Sequence, residues 1–156
     1  MNGVLSLEGG LYDSREDQNG TDPAVENGQV RYLGGYQRAF GDNLTVGFQY
    51  YGEQMLGYGT YRGNLSPGFP VRKEIRHNTT LRITRFFRYQ TVRCSLFAWA
   101  SPNEKDYYLN PEVRYSVSDE MWIAMGGNLF DGKKNHTFFG QFDPNDNFYT
   151  TMRYGF

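Results

Sequence analysis

Six arginines, Arg31, Arg76, Arg82, Arg93, Arg114 and Arg153, share with Glu8, Glu53 and Glu112 a common habit: each alternates with apolar neighbours. In extended chain, residues two apart project to the same side, so these groups belong to charged walls. A wall of guanidinium groups can favour anionic solutes and set a field across a constriction. Alternatively, Arg and Glu can pair between neighbouring strands and fill a narrow interior. Both readings stay open on the sequence. Arg31, Glu53, Arg76, Arg82, Arg93, Glu112, Arg114 and Arg153 are the candidates for lining a polar interior.

Other reactive groups point to little chemistry. The chain has only two histidines, His77 and His136. Alternation puts His77 on the apolar face, near an interface, and His136 falls in a Lys/Asn-rich loop. Nothing sets a nucleophile beside a base, so no enzyme is expected. Asp143-Pro144-Asn145-Asp146-Asn147 carries oxygens like the start of a calcium loop, but Phe148 stands where the loop needs Gly and Tyr154 where it needs Glu. An outer turn is the expectation, with no metal and no cofactor. Asp13, Glu16, Asp17, Asp22 and Glu26 form an acidic, solvated first loop. Lys105, Lys133 and Lys134 are exposed loop charges. A lone Cys94 excludes an internal disulfide and paired-cysteine zinc motifs. A net charge of −1 gives no basis for nucleic-acid binding.

The elements that must position these residues are strands. Period-two alternation recurs along the chain and helical periodicity is nowhere sustained. Strands are expected at 4–12, 29–40, 44–54, 74–86, 91–101, 107–116, 121–130 and 147–156, each long enough for a tilted strand to cross hydrocarbon. The connections 13–28, 55–73 and 131–146 are long, 41–43, 87–90 and 117–120 are short, and 102–106 is intermediate. Sorting by parity puts the long loops at one end and the short turns at the other, the habit of outer-membrane barrels.

Parity also partitions side chains. Leu44, Val46, Phe48 and Tyr50 oppose Thr45, Gly47, Gln49 and Tyr51; Ile75, Leu81 and Ile83 oppose Arg76, Asn78, Thr80, Arg82 and Thr84; Tyr107, Leu109, Val113 and Tyr115 oppose Tyr108, Asn110, Glu112 and Arg114. A charge at the lipid midplane costs about 2–4 kcal/mol, so the arginine face must look inward. Composition agrees: apolar residues are 38% of the chain, aromatics 17%, and there are 19 Gly. That is thin for a packed soluble core but suits a barrel with a wet interior and an aromatic girdle. The expected fold is all-β, an antiparallel up-and-down transmembrane barrel of about eight strands or the C-terminal part of a larger one, a single unit over 1–156. The first residues, Met1-Asn2-Gly3, lack a secretion signal, so one has been removed or the chain is the C-terminal part of something longer.

The chain ends at Phe156, with Tyr154, Met152 and Phe148 on the same face and Thr150 interrupting them. This resembles the terminal strand of bacterial outer-membrane barrel proteins. Asn110-Pro111-Glu112-Val113-Arg114-Tyr115, Gly126-Gly127-Asn128-Leu129-Phe130 and Phe139-Gly140-Gln141-Phe142 are similar to closing strands of large porin-like proteins, a likeness that covers the last third of the chain. The resemblance implies a Gram-negative outer-membrane location. It also implies recognition of Phe148, Met152, Tyr154 and Phe156 by the barrel-assembly machinery, and passive diffusion of small hydrophilic solutes. The rival expectation is a closed, plugged eight-stranded structural or adhesive barrel acting through its outer loops. A third is a soluble lipocalin-like barrel, whose interior should be apolar.

Overall fold

The computed structural model describes residues 3–133 and 136–156; Lys134, named above among the loop lysines, lies outside them. Eight strands follow in order: β1 (Gly3–Tyr12), β2 (Gln29–Phe40), β3 (Leu44–Met55), β4 (Ile75–Phe87), β5 (Val92–Ser101), β6 (Asp106–Ser116), β7 (Met121–Gly132) and β8 (Asn147–Tyr154). Their ends lie within two residues of the expected ones. Two long loops contain short helices that alternation did not announce: α1 (Tyr58–Asn64) between β3 and β4, and a 3-10 helix (Gly140–Asn145) before β8.

All eight strands form one antiparallel sheet in sequence order, β1 to β8, each paired with the next. The sheet is not closed. β1 and β8 each have one partner and are not paired with each other, so both present a free edge, and every residue of β1 is exposed. An eight-stranded barrel has an interior just wide enough for side chains. Here the polar face carries Trp99, Tyr108, Trp122, Phe130 and Tyr149, and a loop described below folds onto it.

The register nevertheless carries the stagger of a barrel wall. Leu5, Tyr36, Phe48, Leu81, Ala98, Leu109 and Leu129 are successive cross-strand partners. Leu5 lies two residues past the start of β1 and Leu129 eight past the start of β7. The row therefore slips six residues over six steps, one per strand. With a rise of 3.3–3.4 Å and a strand spacing of 4.7–4.9 Å, that slip tilts the strands by roughly 35°.

The same register joins the separate parity assignments into two continuous faces. One carries Leu5, Leu7, Val46, Phe48, Leu81, Ile83, Leu96, Leu109, Val113, Ile123 and Met152, and the other carries the arginines, amides and acids. The apolar face is uncovered: Leu7 is 75% and Met125 65% exposed. Among the described residues, the buried apolar set is Met55, Tyr61 and Ala124 alone.

Two local devices hold the ladder together. Tyr32 and Tyr149 lay their rings over Gly52 and Gly126, their directly opposed partners, where a Cβ would fall inside the ring; this close approach is why those positions are glycine. Pro111 sits in a central strand, where its missing N–H should break a ladder bond, and the β6–β7 pairing does lapse at 110–111. Asn110 repairs it: its Nδ2 donates to the Gly127 carbonyl at 2.8 Å and to Asn128 Oδ1 at 3.1 Å.

Candidate functional site: the charged face and its loop-capped cavity

The register places all eight candidate residues, Arg31, Glu53, Arg76, Arg82, Arg93, Glu112, Arg114 and Arg153, on the polar face. They divide into two groups.

Towards the long-loop end the charges are paired. Glu53 is the cross-strand partner of both Arg31 and Arg76. Glu26 lies 3.3 Å from Arg31, Arg31 Nε lies 4.0 Å from Glu53, Arg76 Nη1 lies 3.2 Å from Glu53, and Arg76 Nε lies 3.3 Å from Glu104. Tyr51 donates to Glu53 at 3.1 Å. The result is an alternating chain of three acids and two arginines across β2, β3, β4 and the turn before β6. Glu26 and Glu104 were not among the candidates. They come from loops, and no period along the chain ties a loop carboxylate to a strand arginine.

Towards the short-turn end the balance tips to positive charge. Arg93 binds Glu112 at 2.6 Å, and Tyr149 donates to the other Glu112 oxygen at 3.1 Å. Arg93 stands directly opposite Arg114, an arrangement that destabilises a sheet unless the charge is answered. Arg114 lies 4.0 Å from the centroid of the Trp122 ring, and Arg82 5.6 Å from that of Phe97; Arg153 is the cross-strand partner of Trp122. Among the described residues, Arg82, Arg114 and Arg153 enter no ion pair. Aromatic faces answer cations only partly, so four arginines share one carboxylate.

Loops cover the paired end. Trp99, Tyr108 and Phe130 are aromatics at polar-face positions, and they hold loop residue Phe139, with centroids at 4.6 Å from Trp99 and 5.0 Å from Tyr108. The Phe139 N–H donates to buried Asp106 at 2.9 Å, and Gly132 lets Gly140 approach closer than any side chain would permit. These aromatics break the apolar/polar alternation, which is the one sign in the sequence that a loop folds inward. On the other side, buried Tyr61 of α1 accepts from the Arg72 N–H at 3.2 Å. Between the loops and the sheet lies a cavity of about 660 Å³, to which the strands contribute Gln29, Glu53 and Arg76 and the loops Tyr61, Phe69 and Phe138.

The remaining groups have structural partners. His77 lies on the apolar face, its Nδ1 hydrogen-bonded to Tyr50 OH, and His136 stands at the cavity edge. In the calcium-like stretch, Asp146 accepts from the Phe130 N–H at 2.7 Å and Asn147 from Asn128 at 2.9 Å; no cluster suited to a metal ion occurs among the described residues. In the first loop the Asp22 N–H donates to Asp17 at 2.6 Å and the Thr21 hydroxyl at 3.0 Å. These donors, the backbone N–H of Asp22 foremost, hold the Asp17 carboxyl below its ordinary range. Phe148, Met152, Tyr154 and Phe156 are strongly exposed; the first three lie on the apolar face of β8, and Phe156 lies just past the strand's end.

Fold and site together define an eight-stranded, up-and-down antiparallel sheet with one apolar and one charged face, open at both edges. No family model, curated protein or solved structure matches the chain.

Proposed function

We propose that the chain forms part of the wall of a bacterial outer-membrane, porin-like channel that passes small hydrophilic solutes by diffusion and favours anions. One observation carries the reading: the register gathers the aliphatic and aromatic side chains of all eight strands on an uncovered face and the charges on the other. Water penalises such a face heavily, at roughly 25 cal/mol per Å², whereas acyl chains solvate it. The two free edges favour a wall wider than eight strands over the closed, plugged barrel. A soluble lipocalin-like barrel would keep its apolar side chains inside.

In this arrangement the short turns face the periplasm and the long loops the exterior. A solute enters beside the loop-capped cavity, where the acid–arginine chain holds no large excess of charge. It then passes Arg82, Arg93, Arg114 and Arg153, where unbalanced positive charge raises the local anion concentration. The wall itself performs no catalysis and needs no cofactor. Its partners are outer-membrane lipid, lipopolysaccharide, the assembly machinery and the solute, and Phe148, Met152, Tyr154 and Phe156 serve as the assembly signal.

Planar-bilayer recording of the protein in its natural length tests this. Stable conductance steps with a reversal potential favouring chloride over potassium are expected, and Arg93→Gln with Arg114→Gln should move that potential towards zero. Silence from correctly folded protein, or monodisperse behaviour in plain buffer, would overturn the proposal.

A further inference from the structure

The apolar face contains two cations, Arg38 on β2 and Arg85 on β4. Register fixes both: Arg38 opposes Val46, and Arg85 opposes Leu44. Each is two residues from the end of its strand, at the short-turn rim, and each guanidinium lies 4.9 Å from the centroid of the ring two residues further on, Phe40 for Arg38 and Phe87 for Arg85. Both side chains therefore lean along descending strands towards the rim. Among the described residues neither enters an ion pair. Strand spacing and rise put their Cα atoms about 12 Å apart, so the two groups run side by side without converging on one carboxylate.

An arginine that keeps its stem on apolar surface and carries its head to the edge of that surface is snorkelling to a polar boundary. The ring beneath fixes the guanidinium plane and leaves its outer N–H groups free, and a guanidinium presents paired donors that match phosphate oxygens. We infer that Arg38 and Arg85, each backed by its phenylalanine, form a binding site for the phosphates of two adjacent anionic phospholipid headgroups in the leaflet at the short-turn end. The occupant follows from charge complementarity and position: two unanswered cations at the lower border of an apolar band meet lipid phosphate there before anything else. The inference rests on the membrane-wall reading and adds to it a lipid preference that the channel's solute path does not require.

Native mass spectrometry of the folded protein in uncharged detergent, titrated with phosphatidylglycerol or phosphatidylcholine, tests it. The wild type should retain two phosphatidylglycerol molecules in preference to phosphatidylcholine. Arg38→Gln with Arg85→Gln should weaken that retention about fivefold per arginine, about thirtyfold together. Arg38→Lys with Arg85→Lys keeps the charge but not the paired donors, and should fall between the two. Equal retention by the wild type and the glutamine variant overturns the inference and leaves the wall reading standing. So does displacement of phosphatidylglycerol by inorganic phosphate at comparable concentration, since the site would then take free anions. Failure of the wild type to enter detergent as a β-rich species overturns both.

Discussion

Leu81 offers the sharpest separation of the two faces. It is the middle residue of β4, six from Ile75 and six from Phe87. At a rise of 3.3 Å and a tilt of roughly 35°, it lies about 16 Å from either rim of the sheet, which in the proposed membrane wall is the midplane of a hydrocarbon layer about 30 Å thick. Thr80 is its immediate neighbour on the charged face, opposite Gln49 and Trp99. Leu81→Arg should cost about 2–4 kcal/mol, or some 30- to 700-fold in the folding equilibrium at 1.4 kcal/mol per decade. Thr80→Arg places the same group among Gln49 and Arg82 and should cost under about 1 kcal/mol. Urea titrations of folding into phosphatidylcholine vesicles, read by far-ultraviolet dichroism and gel mobility, give both values. Equal costs, or a larger cost for Thr80→Arg, would refute the assignment of faces.

Asn110→Leu should destabilise by about 1–3 kcal/mol in the same titration, because the Gly127 carbonyl facing Pro111 loses its replacement donor. Gln90 has φ 69° in the turn after β4, following Arg88 and Tyr89 in the same left-handed region; Gln90→Gly should raise stability by about 0.5–1 kcal/mol, seen as a later urea midpoint. Asp17 has its carboxyl depressed by the Asp22 and Thr21 donors, so its contribution to loop order is complete above the unfolded value of about 3.9 and disappears as pH falls through the lower folded value. Protection of the 13–28 amides against hydrogen exchange, corrected for intrinsic rates, should therefore fall progressively as pH is lowered below about 3.9, and Asp17→Asn should show the low protection throughout.

Much of the sheet was legible in the chain because a strand's two faces follow from a period of two, and that period is local. Leu44 to Tyr51, Arg76 to Thr84 and Tyr107 to Arg114 declare their partition without knowledge of any partner. Loop parity then sets the strand order, since short turns force neighbours to pair. Local pattern also marked Asn110-Pro111 and Gly126-Gly127, though not their roles: the amide that repairs a proline gap and the glycine beneath a tyrosine are defined by the strand across the way.

Tertiary structure decided the rest. Register alone brought Glu53 between Arg31 and Arg76, drew Glu26 and Glu104 out of loops to join them, and set Arg93 against Arg114 with one carboxylate between them. It separated a charge wall that looked uniform in sequence into a paired half and a cationic half. Closure was likewise beyond reach of alternation. An even strand count permits a ring of eight, but whether β1 meets β8 depends on curvature and on the volume the interior must hold. The inward fold of loop residues 138–142 onto Trp99, Tyr108 and Phe130 adds to that volume. Contacts between residues far apart in the chain set these features, and no short-range period encodes them.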